Sequence, residues 1–279
     1  MIRSVIALAA TSALLASCSS DQANAPAPPA SAPAASVAVK CPGAGTVEST
    51  TAPFGPRGHQ QAEVYLPACY DADPSRRYPV VYLLHGASAD QTQWRDVGIT
   101  AAADELIAAG QLAPLVIVMP DGGPAMPDSL SKDLVDSLIP WAERTYRVAG
   151  DPAERAVGGI SRGGRVALEA AAAHPSMFTA VGGHSPAVDH GQDALAAHLG
   201  EVPGAIRLDA GQSDSLRGGM QRFAEEARSA GADVQVVIAP GAHDRAYWRS
   251  QVAAYLHFYA DRWAGSRATP TSAGTRPPG

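Results

Sequence analysis

The stretch R-A-V-G-G-I-S-R-G-G-R-V-A-L-E-A-A-A-A (155–173) decides how this 279-residue chain folds. Arg155 to Gly159 is a short apolar run with the character of a buried strand. Residues 162–173 are strong helix formers with no proline. Between them Gly159-Ile160-Ser161-Arg162-Gly163 fits G-x-S-x-G. The pattern alone is weak, because composition gives about 0.2 chance matches in a chain this long. The strand before it and the helix after it carry the weight. In that setting the serine sits at a sharp strand-to-helix turn, and the glycines let the two elements close on each other.

Moving outward, the same alternation repeats. Apolar strand candidates occupy 79–85, 115–119, 178–183, 206–210 and 234–239. Helical periodicity marks 97–109, 129–146, 216–230 and 246–263, with Leu130, Leu134, Leu138 and Trp141 forming one stripe. Continuous apolar strands separated by helices predict an α/β fold: a mostly parallel sheet with helices on both faces. Segments 46–52 and 61–66 alternate more and predict an antiparallel N-terminal edge. The sequence has no internal repeat.

In such a sheet the chemistry gathers at the carboxyl ends of the strands. A nucleophilic serine needs a base, and the base needs an orienting acid. Of eight histidines, His243 alone follows a strand in a loop, P-G-A-H-D, just before the final helix. His257 falls inside that helix and His174 ends the helix after the serine. His190 and His198 flank a weak helix with no strand before them. The acid is expected after strand 206–210, where Asp214 is the first choice and Asp209 the second. Asp214 also suits an N-cap for the helix that follows. The order Ser161, Asp214, His243 is that of α/β-hydrolases.

An oxyanion needs two backbone amides. Arg162 supplies one at the positive end of its helix. The loop His85-Gly86-Ala87-Ser88 after strand 79–85 supplies the other, and Ala87 is the choice. His85 has a plainer role open to it, holding that loop by a hydrogen bond.

The ends differ from the middle. Arg3 and the apolar run Val5 to Ala16 have the form of an export signal over 1–17. Leu15-Ala16-Ser17-Cys18 has the form of a lipoprotein box, with Cys18 the acylated residue. Cleavage after Ala25 is the rival, opposed by Pro26. Residues 18–40 are Pro- and Ala-rich and read as a tether. The catalytic domain is expected over 41–264, and 265–279 as a disordered tail. The expected place is the bacterial cell envelope, on its periplasmic or extracellular face. With Cys18 lipidated, Cys41 and Cys69 remain as a pair, and an oxidising compartment favours a disulfide. No Cys or His spacing suggests a metal site, and no cofactor is expected. A net charge of −6 excludes a basic nucleic-acid footprint.

Taken together these motifs resemble the esterase family of α/β-hydrolases, which includes esterase D-like, feruloyl esterase-like and antigen 85-like proteins. The resemblance covers about residues 60–263. It rests on V-Y-L-P-A-C-Y-D, R-Y-P-V-V-Y-L-L-H-G with Trp94 downstream, V-I-V-M-P-D-G, G-I-S-R-G-G-R-V-A-L, H-P-S-M-F-T-A-V-G-G-H-S-P and G-A-H-D-R-A-Y-W. It implies a serine hydrolase acting on a small-molecule or carbohydrate-linked ester through an acyl-enzyme on Ser161. Trp94, His184 and Trp248 are candidate pocket walls, with core packing the alternative for each tryptophan. Two departures stand out. Position 162, often Met in the family, is Arg, which would place a cation near the acyl site. The His-Asp pair is followed by Arg245 rather than Trp. Two other readings stay open: an acyltransferase using a sugar or lipid alcohol, and a ligand-binding lipoprotein without turnover.

Overall fold

The computed structural model describes residues 41–127, 129–189 and 192–266. The expected signal, the tether with Cys18, and His190 lie outside the described residues. Eight strands form one sheet. They are β1 Thr46–Ala52, β2 Gln60–Leu66, β3 Val80–Leu84, β4 Val116–Pro120, β5 Arg155–Ile160, β6 Ala180–His184, β7 Ala205–Gly211 and β8 Val234–Ala239. Their order is β1-β2-β4-β3-β5-β6-β7-β8. Strand β2 runs antiparallel to β1 and β4, and every other pair is parallel. The mostly parallel sheet and its antiparallel edge match the expectation.

Both faces of β3 to β7 are buried, which is why those strands read as apolar runs. In β3, Val80, Tyr82 and Leu84 enter one core while Val81 and Leu83 enter the other. Helices α5 (Arg162–Ala173), α6 (Asp193–Leu199) and α7 (Arg217–Ser229) cover the first face. Helices α1 (Gln93–Asp96), α2 (Ile99–Ala108) and α8 (Arg245–Ser266) cover the second. The stripe of Leu130, Leu134 and Leu138 is fully buried, with Trp141 packed partly against it.

Three boundaries differ from the sequence reading. The helix expected over 97–109 starts two residues later, at Ile99, since Gly98 takes φ 95° between α1 and α2. The helix expected over 129–146 divides into α3 (Leu130–Asp133), a π turn over Leu134–Leu138, and α4 (Ile139–Thr145). Pro140 has no amide hydrogen to continue the regular ladder there. Helix α8 reaches Ser266, past the domain end placed at 264. No helix among the described residues is long and apolar enough to cross a membrane.

Cys41 and Cys69 form a disulfide with Cα atoms 5.0 Å apart. Cys41 is buried, so the bond ties the start of the domain to the turn after β2.

Candidate active site

Strands β4 and β5 flank β3 on opposite sides, so the chain reverses direction of growth at β3. The loops after β3 and β5 therefore meet at one crevice above the sheet. Ser161 lies there, between β5 and α5, at φ 55° and ψ −115°. A non-glycine residue in that region is strained and persists only where its surroundings impose it. Close packing imposes it. A Cβ on Gly159 would lie 2.2 Å from the Gly163 carbonyl carbon, and one on Gly163 would lie 2.3 Å from His85 O. The glycines of the motif thus admit the helix onto the strand.

His243 reaches this serine from the loop between β8 and α8. Its Nε2 is 3.0 Å from Ser161 Oγ, and its Nδ1 is 3.0 Å from Asp214 Oδ2. A carboxylate only accepts, so Nδ1–H donates to Asp214 and Nε2 is left to accept the serine proton. The Asp214 side chain has no exposed surface, while that of His243 is 30 % exposed. Asp214 Oδ1 accepts the Leu216 N–H at 2.8 Å. Asp214 is not the N-cap expected of it, since Leu216 holds that position without a side-chain cap; its carboxylate instead closes the turn that leads into α7 while it meets His243.

The loop after β3 abuts the serine, with a Cβ on Gly86 placed 3.4 Å from Ser161 Cβ. Gly86 N–H is donated to Gln93 Oε1 at 2.7 Å and Ser88 N–H to Pro124 O at 2.9 Å. Ala87 lies between them on the exposed side of the loop. Arg162 opens α5 directly after Ser161. His85 is fully buried: its Nδ1 donates to Gly86 O at 2.7 Å and its Nε2 accepts Gly122 N–H at 2.9 Å. The Arg162 side chain does not simply point a cation at the crevice. Its Nε donates to Met126 O at 2.9 Å, joining the elbow to the segment after β4. Arg245 lies near Asp96 at 3.6 Å.

Two of the expected pocket walls are not walls. Trp94 is 1 % exposed and donates Nε1–H to Leu84 O at 3.0 Å. Its ring packs edge-on against His184 and Tyr255. His184 is fully buried below the crevice, because it ends a strand with its side chain turned into the core. Trp248 does stand at the site, with its ring edge-on to His243 at 5.3 Å and Nε1–H donated to Ser185 Oγ at 3.1 Å.

Asp209, the second choice for the acid, anchors a buried network instead. Its Oδ2 accepts His184 Nδ1–H at 2.7 Å and faces Arg207 Nε at 3.3 Å; its Oδ1 accepts the Tyr247 and Tyr255 hydroxyls, each at 2.9 Å. Tyr259 Oη lies 2.8 Å from His184 Nε2. Burial holds the His184 pKa below its ordinary value, so the ring is neutral and accepts from Tyr259. Burial would raise the Asp209 carboxyl, yet His184, Arg207 and Tyr255 bring it below its ordinary value. Tyrosine hydroxyls at 247, 255 and 259 share one face of α8, and that spacing was the sequence signal for a buried acceptor.

An α/β-hydrolase fold with a serine, a histidine and an aspartate in hydrogen-bond sequence at its strand ends defines the class. The family described as "Putative esterase" matches residues 57–201, more than half of the chain, and the chain belongs to it. It is 33 % identical over 133 residues to an endo-1,4-beta-xylanase/feruloyl esterase of Xylanibacter ruminicola, covering 43 % of this chain and 18 % of that one. It is 34 % identical over 160 residues to an esterase of Mycobacterium tuberculosis, covering 53 % and 34 %. The chain thus spans about a third or less of the length of these curated relatives. Among solved structures, a ferulic acid esterase superposes with TM-score 0.67 at 25 % identity, covering 78 % of this chain and 99 % of that one. S-formylglutathione hydrolase of Staphylococcus aureus has TM-score 0.66 at 18 % identity, covering 77 % and 96 %, and shows the fold alone.

Proposed function

We propose that this protein is a serine esterase that hydrolyses carboxylic esters through an acyl-enzyme on Ser161. The hydrogen-bond sequence Ser161 Oγ, His243 Nε2, His243 Nδ1, Asp214 Oδ2 carries the reading. In the first step Ser161 Oγ bonds to the ester carbonyl carbon while His243 Nε2 takes its proton. The carbonyl oxygen becomes an anion facing the amides of Ala87 and Arg162. His243 returns the proton to the departing alcohol, and the acyl group stays on Ser161. Water then attacks with His243 as base, and the acid leaves. Asp214 fixes the imidazole tautomer and stabilises its cation throughout.

A relative named feruloyl esterase, and a solved feruloyl esterase module of Clostridium thermocellum complexed with sinapinate, support an aromatic acyl group on a small or carbohydrate-linked alcohol. Export and attachment to the cell envelope through a lipid on Cys18 complete the proposal, on the strength of the Leu15-Ala16-Ser17-Cys18 box. Intact mass of the native protein tests that part, and an unmodified N-terminus at Ser19 or Pro26 would end it.

A fluorophosphonate probe tests the chemistry. It should label the wild-type protein and leave Ser161→Ala unlabelled. The substitution should lower ester hydrolysis by about 10⁴–10⁶. A panel of feruloyl, acetyl and aryl esters, run with and without a carbohydrate acceptor, then separates substrates and separates hydrolysis from acyl transfer. Wild-type esterase activity in Ser161→Ala would sink the proposal.

A further inference from the structure

The segment after β6 is bonded to the backbone of Ser161 and, through Trp248, leads to His243. Ser161 N–H is donated to His184 O at 2.9 Å, and Ser161 O accepts Ala187 N–H at 2.9 Å. Segment 184–187 therefore holds the backbone of the nucleophile from both sides. Ser185 in the middle of that segment meets the residue that packs against the base. Its Oγ accepts Trp248 Nε1–H at 3.1 Å, and the Trp248 ring stands edge-on to His243 at 5.3 Å.

Ser185 is fully buried and takes φ 49°. Glycine reaches that region without steric strain, whereas a residue with a Cβ does not. Serine differs from glycine at such a position only by its hydroxymethyl group. The strain is the cost of placing a Cβ there, and that Cβ carries the hydroxyl that meets Trp248. Beneath it the segment is tied down by hydrogen bonds. Ser185 N–H is donated to Asp209 O at 2.6 Å, and the His184 side chain is held between Asp209 and Tyr259. Asp209 also binds Tyr247, the neighbour of Trp248 on α8.

We propose that Ser185 is a positioning residue that, through Trp248, sets the approach of His243 to Ser161. This inference rests on the esterase reading above. It assigns Ser185 no contact with substrate. Its effect is on the angle and distance at which the imidazole meets the hydroxyl.

Three variants test it: Ser185→Gly, Trp248→Phe and the double variant. Ser185→Gly removes the acceptor and relieves the backbone strain. Trp248→Phe removes the donor and keeps an aromatic edge beside His243. Each single variant should lower kcat by about 10–100-fold with KM within about twofold, because a misaligned base costs rate rather than binding. The rate of fluorophosphonate labelling should fall in parallel. The double variant should be no slower than the worse single one, since both changes break the same bond. Additive losses would show that Ser185→Gly acts by loosening the backbone and would overturn the proposal. So would a Ser185→Gly enzyme that keeps at least half of the wild-type kcat. If thermal melting shows Ser185→Gly unfolded, Trp248→Phe decides alone, and wild-type kcat there overturns it. A wild-type protein that neither labels nor cleaves any ester would instead defeat the esterase reading itself.

Discussion

Asp214 divides its two carboxylate oxygens between the His243 imidazole and the Leu216 amide. One turn therefore both starts α7 and orients the candidate base. Asp214→Asn keeps an oxygen for Leu216 but offers an N–H to His243, which drives the imidazole to the wrong tautomer. Its kcat should fall by about 10³–10⁴ with the fold intact. Asp209→Asn has the opposite profile. It leaves Arg207 buried without its charge partner, and stability should drop by about 3–5 kcal/mol while the folded fraction keeps far more activity. Chemical denaturation and initial rates on both variants check this, and greater loss of rate in folded Asp209→Asn would reverse the assignment.

Acid should weaken the fold through the same network. Above pH 6.5 His184 is neutral whether folded or unfolded, so it adds no pH dependence. Below that value the unfolded chain binds a proton that the buried ring does not. Stability should then fall by up to about 1.4 kcal/mol per pH unit. Asp209 has the same sign lower down, since its carboxyl protonates more readily unfolded than folded. Melting temperature should be flat from pH 8 to 7 and decline from pH 6.5 to 5. His184→Gln should decline less steeply than wild type; equal slopes would show that His184 is not the group responsible.

Gly158 and Gly182, paired across β5 and β6, leave the space that the Tyr259 hydroxyl fills. A Cβ on Gly158 would lie 1.8 Å from that oxygen. Gly158→Ala should therefore cost about 1–3 kcal/mol as overpacking. Adding Tyr259→Phe should recover part of the loss, which a double-mutant cycle of unfolding free energies measures. Independent, fully additive losses would mean that the two sites do not compete for the same space.

Breaking the disulfide should be felt in stability and not in catalysis. Cys41 and Cys69 are 28 positions apart, and a loop of that size corresponds to about 3–4 kcal/mol in the chain-entropy view. Paired Cys41→Ser and Cys69→Ser changes should lower the unfolding free energy by that order and leave kcat near wild type. Alkylation of the unfolded, unreduced protein should find neither thiol free.

Most of the sheet and the three-residue site were legible because each depended on local signals. Apolar runs marked the strands, and Ser161, Asp214 and His243 each fell in a loop after one. What escaped reading depended on depth. Trp94 and His184 lie close in sequence to site loops, yet their side chains turn into the core. The Asp209 network draws on β6, β7 and α8, and no stretch of sequence shows that a tyrosine on the last helix meets a histidine 75 positions earlier. The start of α2 at Gly98 and the π turn before Pro140 are local backbone effects that apolar spacing does not show.

The loop that carries Ala87 is sewn to its surroundings at both ends. His85 receives the Gly122 amide, Ser88 gives its own to Pro124, and Arg162 draws Met126 toward the elbow. A mould set in this way does not wait for its casting. In the oxyanion site proposed for Ala87 and Arg162, the dipoles would be aimed when the chain folds, so the work of turning them toward a nascent negative charge would be done once per molecule and not once per turnover.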